Sequence, residues 1–451
     1  MHKKKYGIWG YGIVGKSVLR YLHSQGHHLT VMDRRAPSEE EKLFLEAHRI
    51  GFTPQEEQSR FFADNDYIVV SPGIARTSAL PSSKVVEELD LFCDAWKNQL
   101  IAVTGSLGKT STVELLSQIM RYYGHTVALG GNVGTGMLDL LALQETHTYA
   151  LLELSSFQLE HSTRCKPDLV LWLNFYPNHL DRHHTLEGYF LAKYAIMRYQ
   201  DTHQKALVPF ALKELLRAQT DRALHFFSPL QFSDATLSSL GPTDTFYGKH
   251  GSNVMRITTQ AEEVIMPVNA LPHISFEENW LALIATLDIL LIQQSSPLAT
   301  LEIKIPEHRL EKIAVINGVT FYNDSKSSVF EATQAAVESL QPQRIHLLLG
   351  GVSKGVDRIS LLPALKGKVE SLHCFGGEAE ELCQAALKAG IRATSYPSLD
   401  QACKGSYSHA SSADIILLSP AGASFDLFSN YKERGEAFKE IVHTTLSVQK
   451  S

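Results

Sequence analysis

The chain has few of the features that mark secreted, membrane-spanning or nucleic-acid-coating proteins. It contains only five cysteines in 451 residues, with no Cys-x-x-Cys pair, which favours a reduced protein over a disulfide scaffold. No apolar run reaches the roughly 18 residues needed to span a bilayer, and Lys16 and Arg20 interrupt the first apolar stretch, so no signal peptide is expected. A formal net charge of −6 without a basic block argues against a nucleic-acid partner. We therefore expect a cytoplasmic protein with no membrane span.

The length and composition are those of a multidomain globular protein. A chain of 451 residues is too long for one core and suggests about three domains. The hydrophobic fraction of 44% and the charged fraction of 20% are ordinary for such proteins. Polar or broken stretches near residues 97 and 300 predict boundaries that give domains 1–96, 97–300 and 301–451.

The most informative stretch is a glycine turn between a strand and a helix. An apolar run, 100–103, leads into Gly105-Ser106-Leu-Gly108-Lys109-Thr110-Ser111, and a helical pattern follows. In a phosphate-binding loop the helix N-terminus faces the phosphates, the lysine reaches them and the threonine binds magnesium. The usual first glycine is replaced by Val103, so this would be a shortened variant. A plain glycine turn with a solvated lysine is the alternative.

The N-terminal region has the layout of a dinucleotide fold. Gly10-Tyr-Gly12-Ile-Val-Gly15 follows a short strand, and a second strand ends at Asp33. Arg34 and Arg35, directly after the acid, favour a phosphate-bearing ligand over a nicotinamide cofactor. A third strand, 67–70, ends in Ser71-Pro72-Gly73, at the edge where α/β folds bind ligands. Glycines that serve only tight turns are the alternative.

The central region carries candidate metal ligands. Glu153 ends a buried-type strand close to the phosphate loop, where a magnesium ligand is needed; a helix N-terminal charge is the alternative. Three histidines at 179, 183 and 184 invite a zinc interpretation, which the single loop and the absence of a cysteine pair disfavour. Lys193 lies on an apolar helix face, where lysines usually extend to water. Short strands between 205 and 270 are expected to complete the sheet.

The third region again alternates strands and helices. Its strands 319–323, 344–349 and 414–418 each end in a loop of small and charged residues. These loops are Asp324-Ser-Lys326-Ser-Ser328, Gly350-Gly-Val-Ser-Lys354 and Ser419-Pro-Ala-Gly-Ala-Ser424-Phe425. Because such loops meet at one edge of a parallel sheet, they predict a second ligand-bearing face.

Taken together and in this order, these loops resemble the Mur ligase family, the ATP-dependent ligases that build the cell-wall peptide stem. The discriminating stretches are Glu153-Leu-Ser-Ser-Phe-Gln158, Asn178-His-Leu-Asp-Arg182, Asn323-Asp-Ser-Lys326 and 419–428. The last is similar to the members that add D-glutamate. The resemblance implies an α/β protein of three domains: a Rossmann-like N-terminal domain, a central P-loop ATPase-like parallel-sheet domain and a Rossmann-like C-terminal domain.

The resemblance also implies the substrates and the residues that bind them. The substrates would be UDP-N-acetylmuramoyl-L-alanine, D-glutamate and ATP. A monomeric enzyme would join the first two through an acyl phosphate. The UDP-sugar would contact Ile13, Val14, Arg34, Arg35, Ser71, Gly73, Asn132, Ser156, Gln158 and His179. D-Glutamate would contact Ser328, Lys354, Ser424, Phe425 and Tyr431.

The implied ATP and metal sites draw on the central and third domains. The ATP contacts would be Gly105, Ser106, Gly108, Lys109, Thr110, Ser111, Asn279, Arg309 and Asp324. Two magnesium ions would be held by Thr110, Glu153, His179 and Lys193, with Lys193 carrying a carbamate derived from CO2. Lys109, His179, Lys193 and Lys326 would be the catalytic residues.

Three other functions stay open at this point. A sister ligase or a folylpolyglutamate-type synthetase would share the phosphate loop and the modified lysine but not the loop 419–428. An oxidoreductase is suggested only by residues 10–15. A nucleotide switch would bind ATP or GTP without making an amide.

Overall fold

The computed structural model describes residues 3–267, 277–292, 298, 301–304, 306–353 and 356–446. Within them the chain forms three sheets of four, nine and six strands, in sequence order. Each sheet is flanked by helices, so the α/β class predicted from the sequence is correct. No helix among the described residues has the length and apolar character needed to cross a membrane.

The first sheet is entirely parallel, in the order β3-β2-β1-β4. Its strands are β1 (Lys5–Trp9), β2 (His28–Asp33), β3 (Gly51–Pro54) and β4 (Tyr67–Val70). Its helices are α1 (Ile13–Ser24), α2 (Glu39–Ala47), α3 (Gln58–Asp64) and α4 (Glu88–Ala95). The glycine fingerprint has a steric reason, since a Cβ on Gly15 would lie 1.8 Å from the Gly10 carbonyl oxygen.

The central sheet has nine strands in the order β13-β12-β11-β10-β9-β8-β5-β7-β6. The strands are β5 (Gln99–Thr104), β6 (Val127–Gly131), β7 (Tyr149–Glu153), β8 (Leu169–Trp172), β9 (Lys205–Pro209), β10 (His225–Gln231), β11 (Thr245–His250), β12 (Asn253–Ile257) and β13 (Glu262–Pro267). The predicted short strands between 205 and 270 do complete this sheet. The last three pair antiparallel to one another.

Helices cover both faces of the central sheet. They are α5 (Lys109–Tyr122), α6 (Ser156–Leu159), α7 (Leu180–His183), α8 (Leu186–Arg198), α9 (Lys213–Arg217), α10 (Asp234–Ser238) and α11 (Glu277–Ile289). Alternate residues of β5 enter two different cores: Ala102 packs in one, Ile101 and Val103 in the other. This double burial explains why β5 is a continuous apolar run.

The third sheet has the order β14-β15-β19-β16-β17-β18. Its strands are β14 (Glu311–Ile316), β15 (Val319–Asn323), β16 (Ile345–Gly350), β17 (Ser371–Phe375), β18 (Ala393–Tyr396) and β19 (Ile415–Leu418). Its helices are α12 (Phe330–Ser339), α13 (Ala379–Lys388), α14 (Leu399–His409) and α15 (Tyr431–Glu440). Strand β14 is antiparallel and the remaining pairings are parallel.

This topology places the sites predicted from the sequence at strand ends. β5 lies between β7 and β8, so the phosphate loop, the end of β7 and the loop after β8 meet at one edge. β15, β19 and β16 are direct neighbours, so the three loops predicted to share a face do share one. The helix predicted over 278–293 begins at Glu277 and ends at Ile289.

Candidate active site

A cavity of about 240 Å³ lies between the loops of the central and third sheets. The central sheet contributes Ser106, Gly108, Lys109, Thr110, Asn132, Glu153 and His179. The third sheet contributes Arg309, Lys326, Ser328, Ser424, Phe425, Tyr431 and Arg434. Most residues proposed for ATP, metal and acceptor binding therefore lie around one cleft, although their roles there stay predictions.

The phosphate loop is held in shape by its own backbone and by Asn174. Gly108 has a φ of +76° and precedes α5, a conformation that favours glycine. A Cβ at this position would lie 2.9 Å from the Asn279 side-chain oxygen, so Asn279 packs directly against the loop. Asn174 accepts a hydrogen bond from the Leu107 N–H over 2.8 Å and donates to the Leu107 carbonyl over 3.2 Å. Asn174 was not selected from the sequence.

Thr110 and Glu153 line the cavity and are hydrogen-bonded to each other. The Thr110 hydroxyl donates to Glu153 Oε2 over 2.7 Å, and the Asn132 amide donates to Oε1 over 3.0 Å. Burial alone would raise the pKa of Glu153, but the ammonium groups of Lys109 and Lys326, with these hydrogen bonds, lower it. A carboxylate kept ionised beside a hydroxyl is a donor set suited to a hard divalent cation.

Lys193 is buried behind the phosphate loop and does not line the cavity. Its side chain is 1% exposed, and Nζ donates to the Gly105 carbonyl over 2.8 Å. Burial, and secondarily the nearby Lys109, lowers the pKa of Lys193 well below its ordinary value. The expectation that it extends to water is wrong, because the amine is enclosed.

Lys109 and His179 both line the cavity, one from the phosphate loop and the other from the loop after β8. Lys109 Nζ donates to the carbonyls of Gly105 and Ser106 over 2.7 and 3.2 Å, and burial lowers its pKa. His179 precedes α7 in a left-handed conformation, φ +54°, with its N–H bonded to the Asn178 side chain. Its ring lies edge-on to Phe157 at 4.9 Å. Residues other than glycine rarely adopt this backbone conformation, and such residues cluster at functional sites.

The third sheet brings two cations to the cavity. Lys326 Nζ lies 2.5 Å from the Thr110 hydroxyl oxygen, and burial lowers the pKa of this lysine to about 7, with Arg309 adding to the effect. Asp324 is buried and does not line the cavity. It accepts hydrogen bonds from Ser327 and Ser419 at 2.5 and 2.8 Å, which join two of the loops. Burial raises the pKa of Asp324 to about 6.

Four of the five residues proposed for the acceptor amino acid line the cavity. Ser328, Ser424, Phe425 and Tyr431 line it, and Lys354 is outside the described residues. Arg434, which sequence reasoning missed, is fully buried here. Its guanidinium donates to the Ser325 carbonyl over 2.7 Å and to the Gly422 carbonyl over 3.1 Å, so it joins the loops that carry Lys326 and Ser424.

The residues proposed for the UDP-sugar are more dispersed. Ser71 and Gln158 line a second, smaller cavity between the first and central sheets, and Ser156 bonds His183 at 2.9 Å. Ile13 is 69% exposed, and Val14, Arg34 and Gly73 line neither cavity. Arg35 is ion-paired with Glu41 at 2.8 Å. Only Asn132 and His179 of this set reach the main cavity.

The three sheets, the phosphate loop and a cleft shared by two of them define a nucleotide-dependent enzyme of modular α/β build. Three family models match the chain: the Mur ligase MurD-like N-terminal domain over 4–86, the Mur ligase middle domain over 103–287 and the Mur ligase glutamate ligase domain over 308–422. The chain belongs to the Mur ligase family.

Individual relatives agree with this assignment. The chain is 31% identical to a UDP-N-acetylmuramoylalanine–D-glutamate ligase of Koribacter versatilis, over 99% of both chains. It is 34% identical to the ligase of the same name from Desulfotalea psychrophila, covering 97% of this chain and 95% of the relative. The crystal structure of MurF ligase from Thermotoga maritima in complex with ADP aligns with a TM-score of 0.57 at 14% identity, covering 93% and 96% of the two chains. That last likeness shows the fold.

Proposed function

We propose that the protein joins D-glutamate to UDP-N-acetylmuramoyl-L-alanine at the expense of ATP, in a cytoplasmic step of peptidoglycan synthesis. The observation that carries the proposal is the single cleft that collects Lys109, Thr110 and Glu153 from one module and Lys326 and Ser424 from another. The names of full-length relatives support the choice of D-glutamate and of the UDP-sugar. The three sheets would correspond to functional domains 1–96, 97–300 and 301–451.

The reaction makes an amide from a carboxylate, which is a poor electrophile. A carboxylate oxygen of the L-alanine residue attacks the γ-phosphorus of ATP, the bond to the β-phosphate oxygen breaks, and ADP leaves. The D-glutamate amine then attacks the carbonyl carbon of the acyl phosphate, loses a proton, and inorganic phosphate leaves. Charge spreads over the phosphoryl oxygens, so positioned cations should dominate the rate enhancement.

The chain supplies these cations from two directions. Lys109 on the phosphate loop would approach the β and γ phosphates, and Gly105, Ser106, Gly108 and Ser111 would surround them with backbone and hydroxyl donors. Lys326 and Arg309 would approach from the third module. Because ATP would be contacted by both modules, the reaction requires that the cleft be closed around it.

The metal requirement fits the donor set. Thr110 and Glu153 would hold one magnesium ion, and His179 with a carbamate on Lys193 would hold a second. Bound magnesium would neutralise charge on the phosphate oxygens. A carbamate forms when a neutral amine adds to CO2 and loses one proton. The enclosed Lys193, whose pKa is lowered by burial, favours that neutral amine. The N–H left on a carbamate can still donate to the Gly105 carbonyl.

An acceptor panel tests the substrate assignment. Purified protein, ATP, magnesium and UDP-N-acetylmuramoyl-L-alanine are incubated with radiolabelled D-glutamate, L-alanine, meso-diaminopimelate or L-glutamate, and labelled UDP-product is measured. We expect incorporation of D-glutamate with little of the others. Preference for another amino acid would assign the protein to a sister activity. In a parallel reaction with a pteroate in place of the UDP-sugar, incorporation of L-glutamate would favour a folylpolyglutamate-type synthetase.

A further inference from the structure

We propose that the Lys326 ammonium is the resident cation of the Thr110–Glu153 pair in the ligand-free protein, and that a divalent metal ion must displace it in order to bind. The inference rests on the metal site of the proposed function. It adds a competition between a side chain of the third module and the metal ion for the same oxygen atoms.

The first support is a continuous chain of short contacts. Lys326 Nζ lies 2.5 Å from the Thr110 hydroxyl oxygen, and that hydroxyl donates to Glu153 Oε2 over 2.7 Å. An ammonium group has donors only, so the threonine oxygen must accept from it. The lone pair that would bind a metal ion is therefore directed at Lys326.

The second support is charge balance in a buried place. Glu153 is 2% exposed and needs a positive partner, because an ionised carboxylate is costly to bury alone. The ammonium groups of Lys109 and Lys326 are the largest electrostatic stabilisers of its ionised form. Lys109 is turned toward the carbonyls of Gly105 and Ser106, whereas Lys326 contacts the Thr110 hydroxyl directly.

The third support is that the packing of the third domain (301–451) holds Lys326 within reach of Thr110. The Lys326 N–H donates to the His308 carbonyl over 3.2 Å, and the adjacent Ser325 is bonded by the buried Arg434. A small apolar cluster of Leu107, Val329, Ala332 and Tyr176 packs the phosphate loop against the third module. The contact between Lys326 and Thr110 therefore belongs to a packed interface between the modules.

The consequence is an ordered change in the role of Lys326. While it contacts Thr110 it opposes metal binding, both by occupying the oxygen and by its charge. Once a metal ion holds Thr110 and Glu153, Lys326 is released within the same cavity, where a phosphate oxygen is its natural partner.

Binding of Mn²⁺ in the absence of nucleotide tests this competition. Free Mn²⁺ is measured by electron paramagnetic resonance during titration of the full-length wild type, Lys326→Met and Lys326→Gln, each checked by circular dichroism. We expect both variants to bind Mn²⁺ about tenfold more tightly than wild type. Glu153→Gln should remove the binding in every background, which locates it at this site.

Substitutions at two other lysines distinguish displacement of Lys326 by the metal ion from a general effect of removing positive charge. Lys109→Met removes a charge from the same cavity but not from Thr110, and Lys312→Met removes one from an exposed position on β14. We expect a smaller gain for Lys109→Met and no gain for Lys312→Met. Equal gains in Mn²⁺ affinity for the Lys109 and Lys326 variants would overturn the proposed displacement. It would also be overturned if the wild type bound Mn²⁺ at Glu153 and the Lys326 variants bound it no more tightly. If neither the wild type nor the variants showed Mn²⁺ binding that depends on Glu153, the result would instead count against the metal site of the proposed function.

Discussion

Lys109 and Lys193 donate hydrogen bonds to the same acceptor, the carbonyl oxygen of Gly105, over 2.7 and 2.8 Å. Burial lowers the pKa of both lysines, and the positive charge of Lys109 lowers the pKa of Lys193 further. Since Lys109 faces the cavity and Lys193 does not, the enclosed amine is the better one to lose its charge. Conversion of Lys193 to a carbamate would replace the repulsion by attraction.

The role of Lys193 can be tested by substitution. We expect Lys193→Ala to lower ligase activity by roughly 100-fold or more, because the proposed carbamate, an anionic metal ligand, would be lost. Lys193→Glu, or added bicarbonate in the wild type after decarboxylation at low CO2, should restore part of the activity. Lys205→Ala, at the exposed start of β9, is the control and should behave as wild type. Near-full activity of Lys193→Ala would show that no carbamate is needed.

The packing of Leu107 predicts an effect on closure of the modules. Leu107 is 9% exposed and contacts Val329 and Ala332 of the third module. We expect Leu107→Ala to loosen this contact, raising the KM for ATP by several-fold and increasing the radius of gyration in X-ray scattering. Leu427→Ala, at a position 42% exposed, serves as the control. An unchanged scattering curve with unchanged KM would mean that the cluster does not hold the modules together.

Glu88 predicts a fall of stability with rising pH. Both carboxyl oxygens are buried without a hydrogen-bond partner among the described residues, and burial raises the pKa to about 8 from an ordinary 4.5. Between pH 4.5 and pH 8, Glu88 is protonated in the native state and ionised in the unfolded state. The free energy of unfolding therefore falls by about 1.4 kcal/mol for each pH unit of increase. Glu88→Gln should therefore be more stable than wild type at pH 8 and similar near pH 4.5.

Urea unfolding of wild type and Glu88→Gln between pH 5 and pH 8.5 measures this difference. Glu87→Gln is the matched control, because the Glu87 carboxylate is ion-paired with Arg76 at 2.6 Å. It should show no gain in stability at high pH. Parallel pH curves for wild type and Glu88→Gln would mean that Glu88 is ionised in the native protein.

Arg434 predicts a combined loss of stability and of acceptor binding. Arg434→Met removes the hydrogen bonds to Ser325 and Gly422 and leaves buried carbonyl groups unpaired, which costs roughly 2–4 kcal/mol. The KM for D-glutamate should rise more than that for the UDP-sugar, because the loop carrying Ser424 is released. The control is Arg392→Met, because the Arg392 side chain is 82% exposed. This substitution should change neither stability nor the KM for D-glutamate. Equal changes in both KM values would indicate only a general loss of structure.

The order of elements could be predicted from the sequence because the strands and turns carry local signals. The phosphate loop, the strand ending at Glu153 and the three loops of the third sheet follow from apolar runs that stop at small residues. The adjacency of β15, β19 and β16 confirms that these loops share one edge. The sequence reasoning missed four strands, β3, β14, β17 and β18, since each is short or partly polar.

The contacts that complete the site could not be predicted. Arg434 carries no local signal, and its function depends on loops about 109 and 12 residues away in sequence. Asn174 holds the phosphate loop from 67 residues away. The enclosure of Lys193 depends on the packing of α8 against the loop, whereas the apolar helix face alone suggested an amine that reaches water. These contacts depend on burial and on pairing between residues far apart in the sequence, which local residue spacing does not predict.

Phosphate release with each substrate omitted in turn shows whether ATP hydrolysis is coupled to formation of the amide. Purified protein is supplied with ATP, magnesium, UDP-N-acetylmuramoyl-L-alanine and D-glutamate, and inorganic phosphate is measured continuously. We expect sustained release only when all components are present, with one amide product formed per phosphate. Phosphate release that continues without D-glutamate and the UDP-sugar, or no release with the full set, would show that the protein is not this ligase.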